Sequence, residues 1–86
     1  MKYFFDDYAW KEYQFWEAQD PKTLNKINDL IEDIMRNGNI GIGHPKPLKN
    51  MEGCWSRKIN KKDRLVYKIE NNVVIILKCR NHYGDH

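Results

Sequence analysis

The sequence predicts an α+β domain in which an N-terminal strand and a two-helix hairpin pack on a twisted antiparallel sheet. Three observations carry this. Apolar residues recur every three to four positions through the first half of the chain. Beyond the segment GHPKPLKN (43–50) the period changes to two. Between the two helical runs stands Asp20-Pro21, a capping residue followed by proline, so a second helix starts almost where the first ends and the pair must fold back as a hairpin.

Taken in order, KYFF (2–5) reads as a short strand, and Asp6 or Asp7 offers a helix N-cap. In DDYAWKEYQFWEAQ, Ala9, Tyr13 and Trp16 stand at i, i+4 and i+7, with Tyr8, Trp10 and Phe15 widening the apolar surface. Lys11, Glu12, Gln14 and Glu17 are assigned to water. In the second helix Leu24, Ile27, Leu30, Ile31 and Ile34 form the apolar stripe, and Asn25, Lys26, Asp29, Glu32 and Asp33 form the opposite face. Gly38 should end it in a left-handed cap. NGNIGIG (37–43) is a glycine-punctuated loop, but no strand enters it and no helix follows, which excludes a nucleotide-binding reading.

The two prolines of GHPKPLKN keep it out of a helix and out of the middle of a sheet. CWSRKIN and RLVYKIE alternate as half-buried strands do, and NVVIILKCR is more continuously apolar, as in a well-buried strand. NKKD (60–63) and ENN (70–72) are compact polar turns suited to hairpins. No internal repeat or linker divides residues 1–86, which read as a single domain.

With 41% hydrophobic and 13% aromatic residues, the 86-residue chain can fill one modest core, which opposes disorder despite 31% charged residues. No stretch approaches the roughly 20 apolar residues of a membrane span, and MKYFFDDYAW holds no apolar run of signal-peptide length. A cytoplasmic location is therefore the expectation, and Cys54 and Cys79 read as reduced thiols within strands. Residues 1–43 carry five Lys/Arg against eight Asp/Glu, whereas residues 44–86 carry ten against four. A basic half of this kind suits a phosphate-bearing or acidic partner.

Four basic clusters stand out: Lys46 and Lys49, then Arg57 and Lys58, then Arg64, and finally Arg80, His82 and Tyr83 in the tail CRNHYGDH. Singly, each is the polarity a half-exposed strand needs. Together they offer the parts for RNA cleavage by the ribose 2′-hydroxyl: guanidinium forks for phosphate, an imidazole for proton transfer, and a phenol that stacks or donates. That reaction needs no metal and no other cofactor. His82 and His86 are four apart but lie past the last strand, so their spacing gives no helical face and no metal site is expected. No Ser/His/Asp, Cys/His or paired-carboxylate arrangement emerges.

GHPKPLKN, GCWSRKI, DRLVYKIE and the terminal CRNHY, together with KINDLIEDI in the helical half, closely resemble the Txe/YoeB branch of the RelE/ParE superfamily of bacterial toxins. The resemblance runs over nearly the whole chain, and only the final GDH extends past the family's usual ending. It implies a microbial-RNase-like α+β fold and a toxin of a type II toxin–antitoxin module that enters the ribosomal A site and cuts mRNA there without metal. It also implies inhibition by an antitoxin of the YefM/Axe kind, a tendency to form homodimers, and contact with operator DNA only through the antitoxin complex. No membrane partner is implied.

Residue by residue, the resemblance gives Arg64 the phosphate-stabilising role, His82 that of general acid and Tyr83 that of orienting substrate. Lys49 and Arg57 match residues that bind the RNA backbone or the ribosome, and Lys58 and Arg80 extend that basic set. One departure stands in the opening segment. The family pattern is glycine, lysine, proline, glutamate, proline, leucine, lysine, whereas this chain has His44 at the first lysine and Lys46 at the glutamate, the family's base. A lysine cation can accept a proton only if burial or neighbouring cations neutralise it, and Lys49, Arg57 and Arg64 are the cations that could. Glu52 and His44 are the other candidate acceptors. The sequence leaves open a slower nuclease relying on positioning and charge, and a binding protein of the same fold without catalysis. The His-Tyr ending opposes a third reading, a ParE-like gyrase inhibitor.

Overall fold

The computed structural model describes residues 1–81. The elements are β1 (Lys2–Phe5), α1 (Asp7–Gln19), α2 (Pro21–Asn37), β2 (Lys46–Pro47), β3 (Cys54–Lys58), β4 (Arg64–Glu70) and β5 (Val73–Lys78). Capping chemistry sets the helix limits. The Asp6 carboxylate accepts from Tyr8 N at 3.3 Å, and Asp20 Oδ1 accepts from Lys22 N and Thr23 N at 3.2 and 3.3 Å. Asp20 thus closes α1 and opens α2, with Pro21 at the first helical position. Gly38 ends α2 at φ 70°, a setting that favours glycine.

The strands form one sheet in the order β1-β5-β4-β3-β2. β2 to β5 pair antiparallel, as the alternating pattern predicts, but β1 pairs parallel with β5, so the sheet is mixed. The reason is the path of the chain. After β1 the helical hairpin carries it to the far edge, and the antiparallel meander then returns to leave β5 beside β1. At the far edge, β2 holds Pro47, a residue an edge strand tolerates because one side of it needs no ladder bond. Asn71 and Asn72, at φ 51° and 63°, make the tight β4–β5 turn. Asn60 Oδ1 accepts from Lys62 N and Asp63 N at 2.8 and 2.7 Å and folds the β3–β4 turn.

The helices cover one face of the sheet, and the main core lies between them. Ala9, Ile27, Leu30 and Ile34 meet Leu65, Tyr67, Val74 and Ile76 there. Pairing places Ser56 beside Val66 and Lys58 beside Arg64 on the other, open face, where Leu48, Cys54 and Val66 form a smaller cluster with Leu77. Tyr13 Oη donates to Asn28 Oδ1 at 2.8 Å and ties the two helices. Trp16 Nε1 donates to the Cys79 carbonyl at 2.7 Å and ties α1 to the end of β5. None of the helices is long and apolar enough to cross a membrane, among the described residues.

Glu12 is a correction to the sequence reading. It is 7% exposed, and its Oε1 accepts from Cys79 N at 2.7 Å. The chain leaves β5 there with a buried N–H that no strand pairs, and the carboxylate supplies the acceptor. Burial raises the Glu12 pKa above the usual carboxylate value, and the Cys79 N–H and the nearby Lys78 and Arg80 charges oppose that rise. Both cysteines are free and buried, and Cys79 lies one residue past β5 rather than within it. Burial, then the charges of Glu12 and Asp63, push its thiol up to about 12, so it is unreactive at neutral pH. Replacing Glu12 by alanine leaves the Cys79 N–H without an acceptor and should cost about 1–3 kcal/mol in urea denaturation, with Glu12→Gln costing less than half of that.

Candidate active site

The structure overturns the expected role of Arg57. It is 0% exposed and faces inward from β3, beneath the loop joining α2 to β2. All five of its N–H groups meet acceptors. Nε–H donates to the Tyr67 hydroxyl at 3.4 Å. Nη1 donates to Asp33 Oδ2 and to the Ile42 carbonyl at 3.0 Å. Nη2 donates to the Gly38 and Ile40 carbonyls at 2.7 and 3.3 Å. Such a guanidinium has no donor left for RNA. A phosphate-cradling loop turns N–H groups inward on an anion, and NGNIGIG instead turns carbonyls inward on a cation.

Two glycines make that approach possible. At Gly41 a Cβ would stand 1.9 Å from Asp33 Oδ2. At Gly43 it would stand 2.7 Å from Leu30 Cδ2 and 3.2 Å from Arg57 Cβ. The Arg57 hydrogen bond, foremost, holds the Asp33 carboxyl below the usual carboxylate range, and hydrogen bonds from Ile42 N and Asn37 add to it.

The Arg57 network also fixes the start of the GHPKPLKN segment. The Gly43 carbonyl accepts from Lys58 N at 2.6 Å, and Lys46 pairs with Ser56 across β2 and β3. On the open face, His44, Lys46, Ser56, Lys58 and Arg64 therefore line one cleft of about 240 Å³. Lys46, Pro47, Lys49 and Asn50 line an adjoining concavity of about 400 Å³, with Lys46 shared by the two. Lys46 and Lys58 are exposed. None of the side chains lining the cleft is a carboxylate, and Glu52 is not among them. His44 is, and it is held at φ 53°. Ser56 is the lining residue that sequence reasoning missed. Its signal was alternation, which puts it on one face of β3 with Lys58.

Arg64 borders the cleft at the start of β4. Its Nη1 donates to the carbonyls of Asn60, Lys61 and Asp63 at 2.7, 3.3 and 3.1 Å, which holds the side chain against the turn. Its backbone N–H donates to the Asn81 carbonyl at 3.0 Å, and the Asp63 carboxylate accepts from Asn81 N at 2.6 Å. The described chain thus ends bonded to the residue that borders the cleft. His82 and Tyr83, the expected acid and orienting phenol, lie outside the described residues. Arg80 does not line the cleft. Its guanidinium lies 3.5 Å over the ring of Phe15 on α1, so part of its charge is engaged by an aromatic face. Among the described residues no cluster of three or more His, Cys, Asp or Glu side chains could hold a metal ion.

A family model described as YoeB-like toxin of bacterial type II toxin-antitoxin system matches residues 5–83. The chain is 45% identical over 84 residues to toxin YoeB of Synechocystis sp., a match covering 96% of this chain and 98% of that one. It is 40% identical to toxin YoeB of Escherichia coli, covering 96% and 100%. It superposes on the YoeB/ParE toxin from Agrobacterium tumefaciens with a TM-score of 0.94 at 38% identity, covering 96% of this chain and 100% of that one. Two Staphylococcus aureus structures, a YoeB dimer and a heterotetrameric YoeB–YefM complex, match at 40% identity with TM-scores of 0.90 and 0.89, each covering 96% and 98%.

Removing the Arg57 charge strands Asp33 and three carbonyls, so Arg57→Met should cost about 3–5 kcal/mol. A carboxyl whose folded pKa is depressed stabilises the fold above its unfolded pKa, and that contribution is lost as pH falls through the folded value. The melting temperature should therefore drop on acidification from pH 7 below about pH 4, and the drop should be smaller in Asp33→Asn.

Proposed function

The chain belongs to the YoeB-like toxins of bacterial type II toxin–antitoxin systems, and on that footing we propose that it is a ribosome-dependent endoribonuclease. It cuts mRNA in the A site by metal-independent attack of a ribose 2′-hydroxyl and so inhibits translation. The observation that carries this reading is the cleft on the open face, where three cations converge without a carboxylate. A phosphodiester undergoing attack gathers negative charge on its oxygens, and fixed cations at that place stabilise it. Arg64 and Lys58, directly paired across β3 and β4, hold the reacting phosphate with Lys46, and Lys49 takes the backbone beyond it. His82 protonates the departing 5′ oxygen and Tyr83 orients the substrate. At this end of the cleft the Asn81 carbonyl accepts from Arg64 N and the Asn81 N–H donates to Asp63.

The partners follow the relatives. A YefM-like antitoxin neutralises the toxin, as the Staphylococcus aureus YoeB–YefM complex suggests, and two copies of the toxin associate as in the YoeB dimer. Operator DNA is met only through the antitoxin complex, and the site of action is the cytoplasm, where the ribosomes are. Lys46 favours one second reading, a protein that occupies the ribosome without cutting.

Primer extension on translating ribosomes separates the two. Cleavage should appear at the A-site codon, with none on free mRNA, and Arg64→Ala should slow it by about 10²–10³-fold. Arrested translation with intact mRNA establishes the second reading instead, and gyrase poisoning in a supercoiling assay overturns both.

A further inference from the structure

We propose that His44 is the proton acceptor of the cleavage reaction, with Lys46 serving as a phosphate-binding cation. This inference rests on the nuclease reading of the cleft. Attack by a 2′-hydroxyl requires a group with a free electron pair beside it. The described side chains around the cleft are an imidazole, two ammonium groups, a guanidinium and a serine hydroxyl. Of these, imidazole is the one that exchanges a proton near neutral pH. The charged groups facing it come from three strands: Lys46 on β2, Lys58 on β3 and Arg64 on β4.

The backbone gives His44 a fixed position. Gly43, at φ 81°, is tied to β3 through the Lys58 N bond, and Lys46 is registered against Ser56. His44 and Pro45 are thus clamped from both sides, and the proline ring removes one further rotation. Among the described residues, the other non-glycine positions with positive φ are all asparagines in turns or at the chain's described end. A histidine held there carries a backbone cost that glycine would avoid, a cost typical of a position kept for its side chain.

In the proposed step, the unprotonated ring nitrogen of His44 takes the proton of the 2′-hydroxyl. The oxygen's electron pair forms a bond to phosphorus. The bond from phosphorus to the 5′ oxygen breaks, its pair leaves with that oxygen, and His82 supplies the proton. The products are a 2′,3′-cyclic phosphate and a 5′-hydroxyl, and no electrons are gained or lost. Lys46, Lys58 and Arg64 surround the phosphate as its charge grows.

The test is His44→Gly on translating ribosomes, with and without added imidazole. Glycine accepts φ 53°, so the melting temperature should hold or rise. Single-turnover cleavage should fall by about 10²-fold or more, and imidazole should restore part of it, increasingly as pH rises through imidazole's own titration. Arg64→Ala should show no such rescue. An unchanged rate overturns the proposal while the nuclease reading stands, and so does a loss that imidazole does not restore. A wild-type chain that cuts nothing on ribosomes overturns the nuclease reading and this inference with it.

Discussion

Five hydrogen bonds from one buried guanidinium join three parts of the molecule. Asp33 comes from α2, Tyr67 from β4, and the carbonyls of Gly38, Ile40 and Ile42 from the loop after α2. A charge held away from water is tolerated only when paired and fully hydrogen-bonded. Here the acceptors belong to a segment with no regular structure of its own. The requirement works in both directions: the loop satisfies Arg57, and Arg57 gives the loop one shape. The Tyr67 hydroxyl extends the network by donating to Asn39 Oδ1 at 3.1 Å.

That shape matters because the loop leads directly into the cleft. Gly43 lies against β3, His44 comes next, and Lys46 starts the edge strand. Of the arginines expected to face RNA, Arg57 and Arg64 thus divide their tasks. Arg57 is the internal support, and Arg64 meets the solvent side, with one nitrogen fastened to its turn. Within the cleft of the open face Lys46, Lys58 and Arg64 are the cations, and no carboxylate lines it. A charge that organises the protein and a charge that meets a ligand look alike in sequence and differ only in what surrounds them.

The helix limits, both hairpin turns and the strand periods were legible because each rests on local chemistry: an aspartate before a proline, a glycine at a positive φ, paired asparagines, alternation. Arg57 and Glu12 were misjudged because charge was weighed above position. Arg57 alternates in step with Trp55, which faces the helices, so its face could have been read from the strand pattern. Glu12 lies inside the stripe of Ala9, Tyr13 and Trp16, and its partner is a backbone N–H 67 residues away that sequence does not reveal. The parallel pairing of β1 depends on where the meander ends, a global property. In the candidate site, the basic segments were visible, but that His44 shares a cleft with Arg64 depends on the glycine loop's path.

The most direct test of an Arg57-shaped, RNA-binding cleft is an amide chemical-shift titration of the protein with a short RNA whose 2′-hydroxyls are methylated, so that it binds without being cut. The account predicts shifts centred on Gly43, His44, Lys46, Ser56, Lys58 and Arg64, with α1 unaffected. Shifts gathered on α1 or β1, with those six amides silent, would contradict it.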